Sequence, residues 1–371
     1  MSSPRDHVDG AIRQGGPVSS SAPRRRRLLG LDVARGLALF GMVYAHVVPD
    51  NGVESIFDGR SAMLFATVSG VSLGLLSGGA RRPPRSALPR LARRIAVRGG
   101  VLIALGLWFA SLATPIATIF DVYGLLFLLA IPLLTLSRRH LALLVVAAAL
   151  SGPALTGWFA ETAAEPESLL HALTSGEWGG HLGRWLTGHF PVATWSALVI
   201  AGLLLARCDL SARSTQAAAI VLGGGSSLLA YSVTASTAET SAAHSNSTWE
   251  VLGSGGLAIA IIGALCLTLD LAEENGWTAV ARLSSPLAAI GSMPLTLYCA
   301  HFAVIAVITA PLPLGSDPEQ WQSVSLLIAM TALGVAFALL WRRWFRQGPL
   351  EWAMSALASP RSALQARRMD A

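Results

Sequence analysis

Residues 28–48 read LLGLDVARGLALFGMVYAHVV, directly behind the run Arg24-Arg25-Arg26-Arg27. At about 1.5 Å of rise per residue this stretch makes a helix of about 30 Å, the thickness of the hydrocarbon layer of a bilayer. It reads as a membrane-spanning helix with a positive flank, and the rest of the chain repeats the pattern. Further apolar blocks lie near 61–78, 95–113, 115–136, 141–159, 192–207, 216–231, 252–271, 286–310 and 323–344. The composition agrees, with 53% hydrophobic and 13% charged residues, a balance that no soluble core requires. The expectation is an all-α, polytopic membrane protein of about ten transmembrane helices.

Basic residues near span ends stay on the cytoplasmic side. The chain has no Lys, so Arg carries that signal. Counting from a cytoplasmic N-terminus, the inner segments hold the Arg residues of 24–27, 81–98, 138–139, 207–213, 282 and 342–368, whereas the outer loops hold only Arg60 and Arg184. Both termini are therefore expected inside a plasma membrane: a disordered basic tail at 1–27, a transmembrane domain at 28–346 and a cytoplasmic tail at 347–371. The net charge of +6 is then a topology signal. No aromatic residues interleave the Arg clusters as a nucleic-acid groove requires, so nucleic acid is not an expected partner. A cleaved secretory signal is rejected, because the first apolar stretch is long and carries Asp32 and Arg35. Cys208 falls at a cytoplasmic end and Cys266 and Cys299 inside spans, which gives no disulfide framework.

Two outer loops exceed what a turn needs. One, at 160–191, carries His171, Trp178, His181, Trp185 and His189; the other, at 232–250, is rich in Ser and Thr and holds His244. Trp in the first loop reads either as an interfacial belt or as the lining of an acceptor site, the belt being the base case. No His-Glu-x-x-His spacing occurs, so no metal site is expected. Gly70, Gly74 and Gly78 recur every four residues and make a small face for close helix packing. Gly253, Gly255 and Gly256 follow no strand, which removes a nucleotide-binding reading.

Ionisable residues inside spans are costly, and they are where function is sought. Asp32 and Arg35 stand three apart and can pair. Arg35 and His46 are separated by eleven positions, about 1100° of helical rotation, so they share one face about 16 Å apart. A pantetheine arm is of comparable length. Arg35, paired with Asp32, is the candidate holder of the phosphate end of an acyl-CoA, and His46 the candidate base, because imidazole exchanges protons near neutral pH. A helix-start ion pair and an interfacial histidine are the competing readings of these residues. Glu250, beside Trp249, is a candidate for orienting an acceptor. The ninth span adds Thr296, Tyr298 and His301, with His301 read by default as a packing histidine.

Residues 31–42, LDVARGLALFGM, resemble the first-helix signature of the transmembrane acyltransferase superfamily. That superfamily includes acyltransferase family 3 and the bacterial relatives of heparan-alpha-glucosaminide N-acetyltransferase, among them the domain of unknown function 418. Residues 58–65 (DGRSAMLF) with Ser69-Gly70, the stretch from Phe190-Pro191 through Trp195 to Gly202 and Ala206-Arg207, residues 290–298 (IGSMPLTLY) and residues 348–352 (GPLEW) are similar to later motifs of the last group. The resemblance implies transfer of an acetyl or short acyl group from cytoplasmic acyl-CoA, without a metal, to an extracytoplasmic or membrane-associated acceptor, often a sugar. Arg35 and His46 match the Arg, ten residues, His pattern of acyltransferase family 3. The lysosomal N-acetyltransferase instead has its His just before the second span, where this chain offers Glu54 and Asp58 as alternative bases. Arg60 is expected at the mouth of the site, with Glu250, Tyr298 and His301 toward the acceptor. Membrane lipid and a second copy of the chain are the other expected partners. A transporter or flippase, and a noncatalytic assembly protein, are the competing functions.

Overall fold

A computed structural model describes residues 28–49, 54–112, 114–313 and 316–359, apart from the side chains of residues 54, 55, 177 and 178. The described residues form helices and connections, with no strand among them. In chain order the α-helices are α1 (Leu29–Val47), α2 (Glu54–Phe57), α3 (Arg60–Leu76), α4 (Leu88–Ala110), α5 (Phe120–Ala130), α6 (Arg138–Ala164), α7 (Leu169–Thr174) and α8 (Gly176–Thr187). There follow α9 (Val192–Arg207), α10 (Arg213–Ser236), α11 (Thr248–Glu250), α12 (Gly256–Glu274), α13 (Thr278–Gly291), α14 (Pro294–Thr309), α15 (Val324–Trp341) and α16 (Pro349–Ala358). A π-turn at Val251–Gly255 joins α11 to α12.

Helix α1 is the hub and packs on α3, α12, α13, α14 and α15. Small residues let the backbones meet. A Cβ on Gly291 of α13 would overlap the Asp32 carbonyl of α1, and one on Gly36 of α1 would overlap the Leu287 carbonyl of α13. Between α3 and α9, Gly70 abuts Val199, Gly74 abuts Ala206 and Gly202 abuts Thr67 in the same way. The expected small face of α3 therefore holds at Gly70 and Gly74. Gly78 lies past the end of that helix at φ +125°, where it makes a turn and no face. Below that turn, the buried Arg207 donates to the carbonyls of Gly74, Gly79 and Leu134 and to the Ser77 hydroxyl, which ties α3 and the segment after α5 to α9.

Among the described residues, four helical stretches are long and apolar enough to cross a membrane: Arg138–Ala164, Arg213–Ser236, Thr248–Glu274 and Val324–Trp341. The count is six if two bent pairs are each one span, Gly179–Thr187 with Val192–Arg207 at 55° and Thr278–Gly291 with Pro294–Thr309 at 71°. Two expected blocks change character. Block 115–136 is not one helix: α5 has 11 residues, about 16 Å, and a 3₁₀ turn at Pro132–Thr135 follows it. Block 286–310 is broken between α13 and α14, because Met293 precedes a proline and is pushed out of the helical region to φ −137°, ψ 55°. The segment expected as a C-terminal tail starts with α16, which docks on α4 and α14. Its Glu351 carboxylate accepts from the backbone N–H of Leu295 (2.6 Å) and Thr296 (3.1 Å) and from the Thr296 hydroxyl (2.6 Å), capping α14 from outside. The expected N-terminal tail lies outside the described residues.

Gly291→Val, which drives a side chain into the Asp32 carbonyl, should lower stability by at least about 1–3 kcal/mol. Gly225→Ala in α10, where a Cβ meets nothing within 4 Å, should leave it unchanged or raise it by about 0.5–1 kcal/mol. Thermal unfolding of detergent-solubilised protein, followed by size exclusion, separates the two.

Candidate active site

The site builds along one face of α1. Near its start, Arg35 Nη1 donates to Asp32 Oδ1 (3.0 Å) and to the Gly291 carbonyl (2.7 Å), and Nη2 donates to Ser72 Oγ of α3 (3.0 Å). The expected Asp32–Arg35 pair is therefore present, and it is largely buried, with side-chain exposures of 10% and 18%. Arg35 lines a cavity of about 230 Å³ with Ser69, Ser72, Arg98, Tyr123 and Glu351. Two guanidinium groups and several hydroxyls at one cavity suit an anionic, phosphate-bearing ligand.

At the other end of α1, His46 Nδ1 lies 3.2 Å from His301 Nε2 of α14. The two rings stack, with centroids 5.4 Å apart and planes 12° from parallel. His301 is buried. Tyr298 sits one turn earlier on α14, buried between the Phe120 ring (4.5 Å) and the edge of His301 (4.7 Å). Tyr298 thus braces the histidine pair. His301, read by default as a packing histidine, is joined to the expected base.

Above this pair lies a polar mouth made by the α2–α3 turn and the α10–α11 loop. Asp58 Oδ1 accepts from the Gly59 N–H (2.9 Å) and lies 3.2 Å from His244 Nε2. Gly59 is required there, because its φ is +65° and a Cβ would stand 2.9 Å from Ala243. The hydrogen bond from His244 holds the Asp58 carboxyl below the usual carboxylate range. For His244 burial pulls the imidazole down, but the Asp58 hydrogen bond and the charges of Asp58 and Glu250 outweigh it and leave the group above its ordinary value. His46 is within electrostatic reach of both Asp58 and His244. Glu250, fully buried, accepts from the N–H of His244 (2.8 Å) and of Asn246 (2.7 Å), so it orders the loop. Arg60 donates Nε–H to the Tyr231 hydroxyl (2.8 Å), and its guanidinium lies over that ring.

The structure thus gathers Asp58, Arg60 and Glu250 at the mouth, His46 and His301 just beneath, and Arg35 with Asp32 at the far end of α1. Glu54 belongs to α2, and its side chain lies outside the described residues. His244 was legible only as a histidine in a polar loop; nothing local tied it to Asp58. Asp121, also missed, is fully buried and accepts from Arg184 Nη2 (2.7 Å) and the Trp185 indole N–H (2.6 Å). Trp185 therefore points inward as an anchor for α8 and not outward into an interfacial belt. Among the described residues no group of three or more His, Cys, Asp or Glu is placed to hold a metal ion.

Residues 27–235, more than half of the 371, match the family model described as heparan-alpha-glucosaminide N-acetyltransferase, catalytic. The chain belongs to this family. Residues 204–360 also match the model of a protein of unknown function, DUF418. No curated protein matches the chain. The acetyltransferase family assignment and the long apolar helices make this a membrane protein of acetyltransferase type. Each histidine contact joins the two matched regions, since His46 and Asp58 lie in the first and His301 and His244 in the second.

The Asp58–His244 pair sets a pH window. The share of His244 is fully present below its ordinary value of 6.5 and is lost as pH rises through its raised value. The share of Asp58 is present above its ordinary 3.8 and is lost as pH falls through its lowered value. Asp58→Asn should lower the titration midpoint of His244, read by imidazole NMR or by the pH dependence of diethylpyrocarbonate labelling at His244.

Proposed function

We propose that the protein transfers an acetyl or other short acyl group from cytoplasmic acyl-CoA to a hydroxyl or amine acceptor at the outer side of the plasma membrane, a glycan being the candidate class. The observation that carries this reading is the placement of a two-arginine cavity and a histidine-rich polar mouth at opposite ends of one face of α1. Arg35 and Arg98 would hold the phosphate end of the donor, with Asp32 fixing the Arg35 guanidinium. The pantetheine arm would run along α1 and bring the thioester toward His46 and His301. The acceptor would come from outside, past Arg60 and Tyr231, to the carboxylate and imidazoles of the mouth. Acyl transfer needs a base to take the acceptor proton and a proton for the departing thiol, and the imidazoles at the mouth can serve both needs. The topology of ten crossings with both ends inside belongs to this proposal, and the one-sided distribution of Arg supports it.

One feature favours a second reading. The 71° break between α13 and α14 is of the kind transporters use to bind substrate with freed backbone groups. Here those groups are engaged, because Arg35 takes the Gly291 carbonyl and Glu351 caps the first N–H groups of α14. That occupancy favours the enzyme.

Purified protein in nanodiscs should release CoA thiol from labelled acetyl-CoA and pass on the label. Arg98→Gln should raise KM for acetyl-CoA about tenfold or more with kcat little changed, the loss expected for one charged hydrogen bond to a phosphate. His46→Ala should lower kcat and leave donor binding intact. A wild-type protein that binds no acyl-CoA would move the transporter reading to the front.

A further inference from the structure

We infer that His244 is the base that activates the acceptor, held by Asp58 and carried on a loop that Glu250 positions, an assignment that rests on the acyl-transfer reading above. The backbone argues first. His244 has φ +58° and Asn246 φ +51°, the left-handed region, uncommon outside Gly and entered most often by Asn, Asp and His. Such strain persists only where the surroundings over-determine it, and it concentrates at functional sites. The surroundings here are the buried carboxylate of Glu250, which accepts from the N–H of His244 and of Asn246 and from the Ser245 hydroxyl (3.3 Å), while its own N–H donates to Ser247 Oγ (2.9 Å). A buried carboxylate is expensive to retain. This one spends its acceptor capacity on bending three consecutive residues so that the His244 ring meets Asp58.

The ring then has the geometry of an oriented base. With Nε2–H on Asp58, the neutral imidazole presents Nδ1 as its lone pair, 3.4 Å from the His189 carbonyl, which receives that hydrogen once the ring is protonated. This is the logic of a carboxylate that fixes a tautomer and steadies the imidazolium, reached here from residues 186 positions apart. The groups facing His244 are Asp58, Glu250 and His189, with the edge of Phe190 at 5.3 Å and His46 at longer range. Among the described residues, the partner of His46 Nδ1 is another imidazole, that of His301. His244 is 22% and Asp58 39% exposed at the side chain, so an acceptor from outside can reach the ring. In the step, Nδ1 of His244 takes the proton of the acceptor O–H or N–H as that atom bonds to the thioester carbonyl carbon. The C–S bond breaks, and the departing thiolate leaves as CoA thiol with the proton returned by His244.

The test is thiol release from acetyl-CoA by the full-length protein in nanodiscs, with glucosamine as the probe acceptor, across pH. His244→Asn is the informative variant, because Asn tolerates the left-handed backbone and so keeps the loop. It should retain the wild-type melting temperature and acetyl-CoA affinity but lose about 10²–10⁴-fold in kcat. Wild-type kcat/KM should rise with pH along a limb above 6.5, the ordinary imidazole value. Asp58→Asn should move that limb to lower pH, and His46→Gln should leave its position unchanged. Wild-type turnover in His244→Asn, or a limb that follows His46 in place of Asp58, overturns the assignment alone. A wild type that releases no thiol overturns the acyl-transfer reading and the assignment with it.

Discussion

The contact between α1 and α13 governs the rest of the structure. Gly36 and Gly291 bring the two backbones so close that neither position admits a Cβ. The chain leaves helical geometry at Met293, just past the C-terminal end of α13, where carbonyls lack intrahelical partners. The guanidinium of Arg35 takes one of those carbonyls, and it can do so only because the glycines permit the approach. A buried cation and an orphaned carbonyl, each costly alone in a low-dielectric setting, thus satisfy one another. The break also redirects the chain by 71° and sends α14 along the course that puts His301 beside His46.

The residues proposed for the chemistry come from halves of the chain that are distant in sequence. The first half supplies the helix with Arg35 and His46 and the turn with Asp58. The second supplies a buried histidine and a loop wound on Glu250. Neither half holds a complete constellation, so the packing of α3 and α9 at Gly70 and Gly202 and of α10 and α12 at Gly223 and Gly256 is what aligns one with the other. Mutations at those glycines would be felt at the mouth without touching it.

Much of this was readable from the residues. Long apolar blocks named most helices, and eleven positions on a 3.6-residue helix put Arg35 and His46 on one face. Asp58 was singled out as an alternative base, and it has acquired an imidazole. The sequence could not announce the source of that imidazole, because loop-to-loop contacts carry no periodicity and His244 sits amid Ser and Thr that read as generic loop. The default reading of His301 as a packing histidine rests on its spacing from Thr296 on the same helix, whereas its imidazole partner lies on α1. Block 115–136 looked like a span because apolarity was counted through Pro115 and Pro132, where proline lacks the N–H that a helix needs and the chain here leaves the α-helix. Asp121 passed unnoticed inside that same block, although a lone carboxylate in an apolar run is a signal of a partner to be sought.

Glu351 closes the first turn of α14 from a helix made more than fifty residues later. During synthesis, the backbone N–H groups at the broken span therefore wait without their acceptor while the following span and its loop are still being produced. Until α16 arrives, the helix that carries His301 lacks the carboxylate that caps its first turn. An intermediate that holds every helix up to α15 would therefore still leave the start of α14 uncapped.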